Sequence, residues 1–169
     1  MIDVLFRQLY VWVVVELESR RVIHFGVTRH PSQFWTAQRL REATANGRRP
    51  RYIIRDNDNK YGRAFDIAAA AAGIEVKRTP VKAPLANAIC ERFVGSVRRE
   101  CLDHMLIFCE RQLHRVVEAY VAYFDRSRRI KASANVPCGP PMAPTGPTAG
   151  KIISLPVLNG LHHEYRRAA

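Results

Sequence analysis

The chain has 169 residues, 47% of them hydrophobic, and carries 27 Lys and Arg against 15 Asp and Glu, a formal net charge of +12. That length fits one domain able to bury most of its apolar surface, and the charge points to an anionic partner, nucleic acid being the commonest. The longest apolar run, Leu9 to Val15, is far too short to cross a bilayer, and no small-residue cleavage site follows it. The four cysteines, Cys90, Cys101, Cys109 and Cys138, form no Cys-x-x-Cys pair, and none lies near the one histidine pair, His162-His163. They read as buried thiols in a reducing compartment rather than a disulfide framework or a zinc site.

Taken in order, Leu9 to Val15 is rich in β-branched and aromatic residues and predicts a strand buried on both faces. A charged turn, Glu16 to Arg20, leads to a second strand over Arg21 to Val27, close enough for a hairpin. A chain that opens almost directly on a buried strand leaves that strand's other edge to be covered by something else. Pro31-Ser32 opens a helix in which Trp35, Ala37, Leu40 and Ala43 recur at near-helical spacing, and Asn46-Gly47 stops it. A strand follows over 51–55, then an alanine-rich helix from Phe65 to Ala72 with Gly73 as its cap. Ile74 to Val76 predicts a short strand, and Lys77 to Ala86, with Pro80 and Pro84, a basic loop. From Asn87 the pattern is helical: Cys90, Phe93, Val94, Val97 and Cys101 share an apolar face, while Asn87, Glu91 and Arg98 share another. Leu113 to Phe124 predicts one more amphipathic helix, with Trp12 and Trp35 reading as core residues earlier in the chain. Beyond Asp125 the sequence is basic, then Pro- and Gly-rich through Gly150, and reads as an extended or partly disordered arm. Lys151 to Leu158 predicts a final short strand ahead of a tail. The element order is that of an α/β sheet flanked by helices. It divides into a core at 1–125 and an arm at 126–169.

Two carboxylates stand out. Asp56 lies where an apolar strand ends, the position at which α/β sheets build their sites. Glu91 lies on a helix face 35 positions later. Such a pair can hold a hard divalent ion, and two ions held close together serve phosphoryl transfer. A two-metal site normally takes three acidic ligands, and this pattern supplies two. Asp58 reads as a turn-forming side chain.

The runs Asp56-Asn57-Asp58-Asn59-Lys60-Tyr61 and Pro84-Leu85-Ala86-Asn87-Ala88-Ile89-Cys90-Glu91-Arg92-Phe93 resemble the retroviral-integrase-type catalytic core of bacterial insertion-sequence transposases. Arg98 to Asp103, Tyr123 to Arg126 and Pro156 to Tyr165 extend that resemblance over essentially the whole chain. It implies a DDE-superfamily enzyme with a ribonuclease-H-like, three-layer fold and a mixed sheet. It implies Mg²⁺ or Mn²⁺ bound by Asp56 and Glu91 as the second and third metal carboxylates. It also implies double-stranded DNA as partner, in the form of transposon ends and target. The activity implied is joining of a DNA 3′-hydroxyl to a target phosphodiester by a homo-oligomer in the bacterial cytoplasm, without a membrane.

Asn87 matches the family's asparagine just before the glutamate, and Arg98 its basic residue facing DNA. Arg78, Lys82, Arg99 and Arg126 are further expected phosphate contacts, as are Arg48, Arg49, Arg128 and Arg129. The departure comes at the start. The family's first catalytic aspartate belongs to a central first strand, and here Leu9-Tyr10 stands too close to Met1 for it. Asp3 is the only acidic residue upstream and the remaining candidate ligand. The expectation is a core lacking most of its first strand, an incomplete transposase or a catalytically dead nucleic-acid-binding remnant.

Overall fold

The hairpin forms where β-branched residues are densest. Strand β1, Tyr10–Val15, pairs antiparallel with β2, Val22–Thr28, from Tyr10↔Thr28 to Val14↔His24, and the register shifts between Val14 and Val15. The turn between them is closed by Ser19, whose hydroxyl donates to Glu16 and whose oxygen accepts from the Arg21 amide at 3.2 Å. The structure is a computed structural model. It describes residues 1, 3–45, 47, 50–79, 88–134, 151–158 and 160–167, with side chains 127–134, 166 and 167 excepted.

Helix α1, Gln33–Thr44, starts at Ser32, whose hydroxyl accepts from the Trp35 amide at 3.2 Å, as the Pro-Ser start predicts. It buries Thr36, Ala37, Leu40 and Ala43. Strand β3, Tyr52–Arg55, helix α2, Arg63–Ala71, and strand β4, Glu75–Arg78, form a crossover in which β3 and β4 pair in parallel. Gly73 at φ +70° ends α2, where a residue with a side chain would be strained. The parallel ladder draws Lys77 and Arg78 into β4, opposite Ile54 and Arg55, where a loop was expected. Residues 80–87, the rest of that expected loop, lie outside the described residues.

One core cluster joins these pieces: Trp12, Leu40, Phe65, Ala68 and Ile74 are buried together, with Val14, Ile53 and Val76 packed against them. Trp12, Val14, Ile53 and Val76 therefore present one face of both strand pairs to α1 and α2. At β2 successive side chains alternate as strand geometry demands. His24 pairs with Glu42 of α1 at 3.3 Å, while the ring of Phe25 meets His114 at 4.8 Å on the opposite face. His114 belongs to helix α4, Glu110–Ala134, and Glu110 accepts from the Arg29 amide at 2.6 Å. Within residues 1–114, β2 thus meets α1 on one face and His114 of α4 on the other.

Within residues 1–114 the described ladders are antiparallel β1–β2 and parallel β3–β4, so both strand senses of the expected mixed sheet are present, each in a two-stranded ladder. β1 is correspondingly less buried than expected: Trp12 is enclosed, whereas its neighbours are half-buried because a cavity borders them.

Helix α3, Ala88–Glu100, sinks Phe93 and Val97, and Cys101 just beyond it is fully buried. Val94, expected on that face, is 47% exposed, since it lies toward the edge of the apolar stripe. Cys109 is exposed in the stretch before α4, unlike the buried thiol expected. Cys138 lies outside the described residues.

The chain forms two compact units, 1–114 and 115–169. In the second, α4 continues helical to Ala134, so 126–134 is not an extended arm. Its Arg, Lys and Ala residues are good helix formers, and no proline interrupts them before Pro137. Residues 135–150 of the expected arm lie outside the described residues. Strand β5, Ile152–Val157, matches the final strand expected, and the tail forms a partner, β6, His162–Arg167. His162 stacks on Tyr123 at 4.7 Å, and Arg126 pairs with Glu164 at 2.7 Å, which fastens the hairpin to the helix.

Candidate metal and nucleic-acid site

Asp56 is the first residue past β3, and its loop is held at several points. Arg55 is 6% exposed; its guanidinium donates to the Asp56 carbonyl at 2.9 Å and to Asp66 at 3.3 Å, and lies 5.3 Å from the centre of the Tyr61 ring. The Thr79 amide and hydroxyl both donate to the Arg55 carbonyl, and Asn57 donates to the Thr79 carbonyl at 3.2 Å. From α1, the buried Thr36 hydroxyl donates to the Lys60 carbonyl at 2.7 Å. A carboxylate on so anchored a loop keeps its position with little added ordering entropy.

Asp56 is exposed and accepts only from the Asp58 amide, at 3.3 Å, among the described residues. Asp58 behaves as the turn residue expected. It accepts from the Lys60 amide at 2.9 Å and pairs with the Lys60 ammonium at 2.5 Å. The Lys60 hydrogen bonds hold its carboxyl below the usual value and raise the lysine in return.

Tyr61 ties this loop to the core. Its hydroxyl accepts from Trp12 Nε1 at 3.0 Å. Burial, then the nearby charge of Asp56, pushes the phenol from 10.0 to about 12, and Cys90 contributes in the same direction. Asp56 and Cys90 are thus both within electrostatic reach of one hydroxyl. Cys90 sits in the first turn of α3, next to Glu91. Its thiol is raised by burial, set against the Val15 amide, and feels the Glu91 charge. Glu91 itself is exposed and has no ion-pair partner among the described residues. Asp56 past the end of β3 and Cys90 in the first turn of α3 thus both bear on the Tyr61 hydroxyl, and the exposed Glu91 follows Cys90.

Asp3 is placed differently. It is 4% exposed and accepts from the Leu5 amide at 3.0 Å, the Arg7 amide at 2.9 Å, Arg7 Nε at 3.0 Å and Arg29 at 3.1 Å. Burial alone would raise its pKa, but these donors outweigh burial and hold it below 3.8. With four donors on two oxygens it serves as the anchor of a turn.

The expected phosphate contacts separate in the same way. Arg78 is exposed but shares Asp66 with Arg55, at 3.2 Å. Arg98 is 76% exposed and loosely paired with Asp103 at 3.4 Å, and Arg99 is exposed beside it in the last turn of α3. Arg126 is engaged with Glu164 in the second unit. Asn87, Lys82, Arg48 and Arg49 lie outside the described residues, as do the side chains of Arg128 and Arg129.

Arg55, Tyr61 and Asp66 were not expected as positioning residues. The one sequence signal was a charged residue closing an apolar strand, at Arg55. Exposed carboxylates such as Asp56 and Glu91 have the chemistry for a hard divalent cation, because Mg²⁺ is commonly held by one or two carboxylates, with substrate phosphates and water completing its shell. No cluster of three or more His, Cys, Asp or Glu able to hold a metal occurs among the described residues.

Comparison with known proteins adds the family context. Residues 72–137, which contain α3 with Glu91 and the whole of α4, match the family model described as "Integrase core domain". That stretch is similar to an integrase core domain over less than half of the chain. In fold it is similar to a chain in the cryo-electron-microscopy structure of the simian T-cell lymphotropic virus intasome in complex with PP2A regulatory subunit B56 gamma. The TM-score is 0.55 and the identity 15%, over 92% of this chain and 60% of that one. The α/β fold is thus similar to that of the intasome chain, and this chain spans about 60% of its length. A search of curated proteins found no match.

Proposed function

We propose that this chain is an integrase-core domain serving metal-dependent phosphoryl transfer on DNA, joining a 3′-hydroxyl to a target phosphodiester in the manner of insertion-sequence transposases. What supports the reading is that Asp56, past the end of β3, and Cys90, the neighbour of Glu91 in α3, both bear on the Tyr61 hydroxyl, with the carboxylates of Asp56 and Glu91 exposed and neither in an ion pair among the described residues. Asp56 and Glu91 would hold Mg²⁺ or Mn²⁺, which would polarise a phosphoryl oxygen and stabilise the leaving oxygen. The protein's own part is positioning. Arg55, Thr36 and Tyr61 fix the Asp56 loop, and the first turn of α3 presents Glu91.

Double-stranded DNA, as transposon ends and target, is the proposed partner. Of the expected phosphate contacts, Arg98 and Arg99 are exposed on one helix turn, and the net charge of +12 draws the polyanion in. A homo-oligomer in the bacterial cytoplasm is the proposed setting. No helix among the described residues is long and apolar enough to cross a membrane.

A second reading, nucleic-acid binding without catalysis, is favoured by Asp3, whose oxygens are already occupied, so that only two candidate carboxylates remain. Nicking and strand transfer on supercoiled DNA with Mn²⁺ separates the two. Product formation abolished by Asp56→Asn supports the enzyme. DNA binding with no product from the wild type supports the silent binder.

A further inference from the structure

Asp66, in the first turn of α2, is shared by two arginines that the parallel ladder sets side by side, Arg55 on β3 and Arg78 on β4. Each takes one oxygen: Arg55 Nη2 reaches Oδ1 at 3.3 Å, and Arg78 Nη2 reaches Oδ2 at 3.2 Å. The two cations are not equivalent. The side chain of Arg55 is 5% exposed and that of Arg78 is 62% exposed. A buried guanidinium cannot give up its counter-charge, whereas a single contact between exposed groups contributes little and is readily exchanged.

One donor of Arg55 is left over. Nη1 donates to the Asp56 carbonyl and Nη2 to Asp66, but Nε is buried with no hydrogen-bond partner among the described residues. Buried donors are normally paired, so this one needs a reason. Nε–H and Nη2–H lie on the same edge of a guanidinium, and that edge matches both oxygens of a carboxylate. The second oxygen of Asp66 is the one that Arg78 holds. Arg55 Cζ lies 5.3 and 6.0 Å from the ring centres of Tyr61 and Phe65, which hinder the guanidinium from turning away.

We propose that a backbone phosphate of DNA takes Arg78 from Asp66, that Asp66 then closes on Arg55 through Nε and Nη2, and that this two-bond fork braces the Asp56 loop. Arg78 is built to be taken. Its neighbour Thr79 donates from amide and hydroxyl to the Arg55 carbonyl, so the backbone stays fixed while the arginine side chain extends into solvent. Release of counterions from the duplex favours the exchange. The brace reaches Asp56 directly, because the guanidinium that Asp66 fixes is the one whose Nη1 holds the Asp56 carbonyl at 2.9 Å. Arg78 is thus a positioning residue that acts on Asp56 through Asp66 and Arg55, and DNA contact is linked to order at the site. The proposal deepens the function proposed above and rests on it for the identity of the anion.

The test follows the Arg55 Nε–H resonance of the isotope-labelled full chain in the wild type and in Arg78→Ala, a change at an exposed side chain. Arg78→Ala should reproduce the DNA-bound state without DNA. Its Arg55 Nε–H should exchange with solvent about tenfold more slowly than in the wild type, the factor for one hydrogen bond. The Asp58 amide, which donates to Asp56 Oδ1, should be protected with it. A double-stranded oligonucleotide should produce both changes in the wild type and add nothing in Arg78→Ala. Arg78→Lys keeps the charge and should respond as the wild type does. A plain phosphate contact predicts weaker DNA binding with no change at Arg55, and a mere prop for Asp66 predicts faster exchange in Arg78→Ala; either result overturns the proposal. So does an equal response to inorganic phosphate at the same phosphate concentration, which would assign Arg78 to a free anion.

Mn²⁺ affinity separates the proposal from the reading it rests on. A rise of about fivefold in Arg78→Ala supports both, and a fall overturns the proposal. No Mn²⁺ binding by any of these proteins, with the Arg55 and Asp58 signals responding as stated, refutes the metal site and supports the bridge.

Discussion

Tyr61→Phe removes one oxygen, and the structure sets the size and pH dependence of its effect. The Trp12 indole, 9% exposed, loses its acceptor at 3.0 Å, and a buried donor left unsatisfied costs about 1–2 kcal/mol. Near neutral pH the wild type should therefore be the more stable by that amount. The phenol titrates at 10.0 when unfolded and at about 12 when folded. Between those values the unfolded chain has released a proton that the native chain retains, so stability falls as pH rises. Over the whole interval the loss amounts to about 3 kcal/mol. The variant has no phenol here and escapes that loss. The gap between the two proteins should close and reverse near about pH 11. Urea unfolding followed by tryptophan fluorescence measures it, and alkaline effects of other groups cancel in the difference. A gap absent at about pH 8, or constant from pH 9 to pH 11.5, would refute the placement of Tyr61 between the core and Asp56.

Asp3→Asn should destabilise the chain at neutral pH. The carboxyl is held below 3.8, so its contribution is present above that value and disappears as pH falls through the native pKa. Acid unfolding of both proteins should show the difference shrinking below about pH 4. A thiol-reactive dye should label Cys109 quickly in the native state. Cys101, fully buried and with its thiol pushed up to about 11 by that burial, should react only after unfolding. Peptide mapping of the labelled chain distinguishes them, and rapid native labelling of Cys101 would contradict its burial. Glu91→Gln should leave gel-shift affinity for double-stranded DNA near that of the wild type in EDTA. Arg98→Ala should weaken it and flatten its salt dependence by about one phosphate contact.

Periodicity sufficed for the first 114 residues wherever burial is one-sided. The Ser32 cap, the Gly73 stop and the alternation in β2 all correspond to local rules. It failed where tertiary pairing overrides composition. Lys77 and Arg78 look like loop residues, but the ladder to Ile54 and Arg55 holds them in β4. His162 to Arg167 looks like a polar tail, but stacking of His162 on Tyr123 and pairing across to β5 make it a strand. Asp56 and Glu91 stand out as candidates because strand ends and helix faces are local features. The arginine that carries the Asp56 loop does not, because its partners Asp66 and Tyr61 become neighbours only through the β3–α2–β4 crossover. Asp3 shows the converse: acidic and upstream, it is a candidate by sequence, yet Arg7 and Arg29 occupy it.

The most direct measurement is Mn²⁺ binding to the purified chain, followed by electron paramagnetic resonance, for the wild type, Asp56→Asn and Glu91→Gln. If the two carboxylates share an ion, each substitution alone should weaken binding by about tenfold or more, and the double variant should lose little beyond either single one. Equal Mn²⁺ affinity in all three proteins, or additive independent losses, would mean that Asp56 and Glu91 do not share a metal.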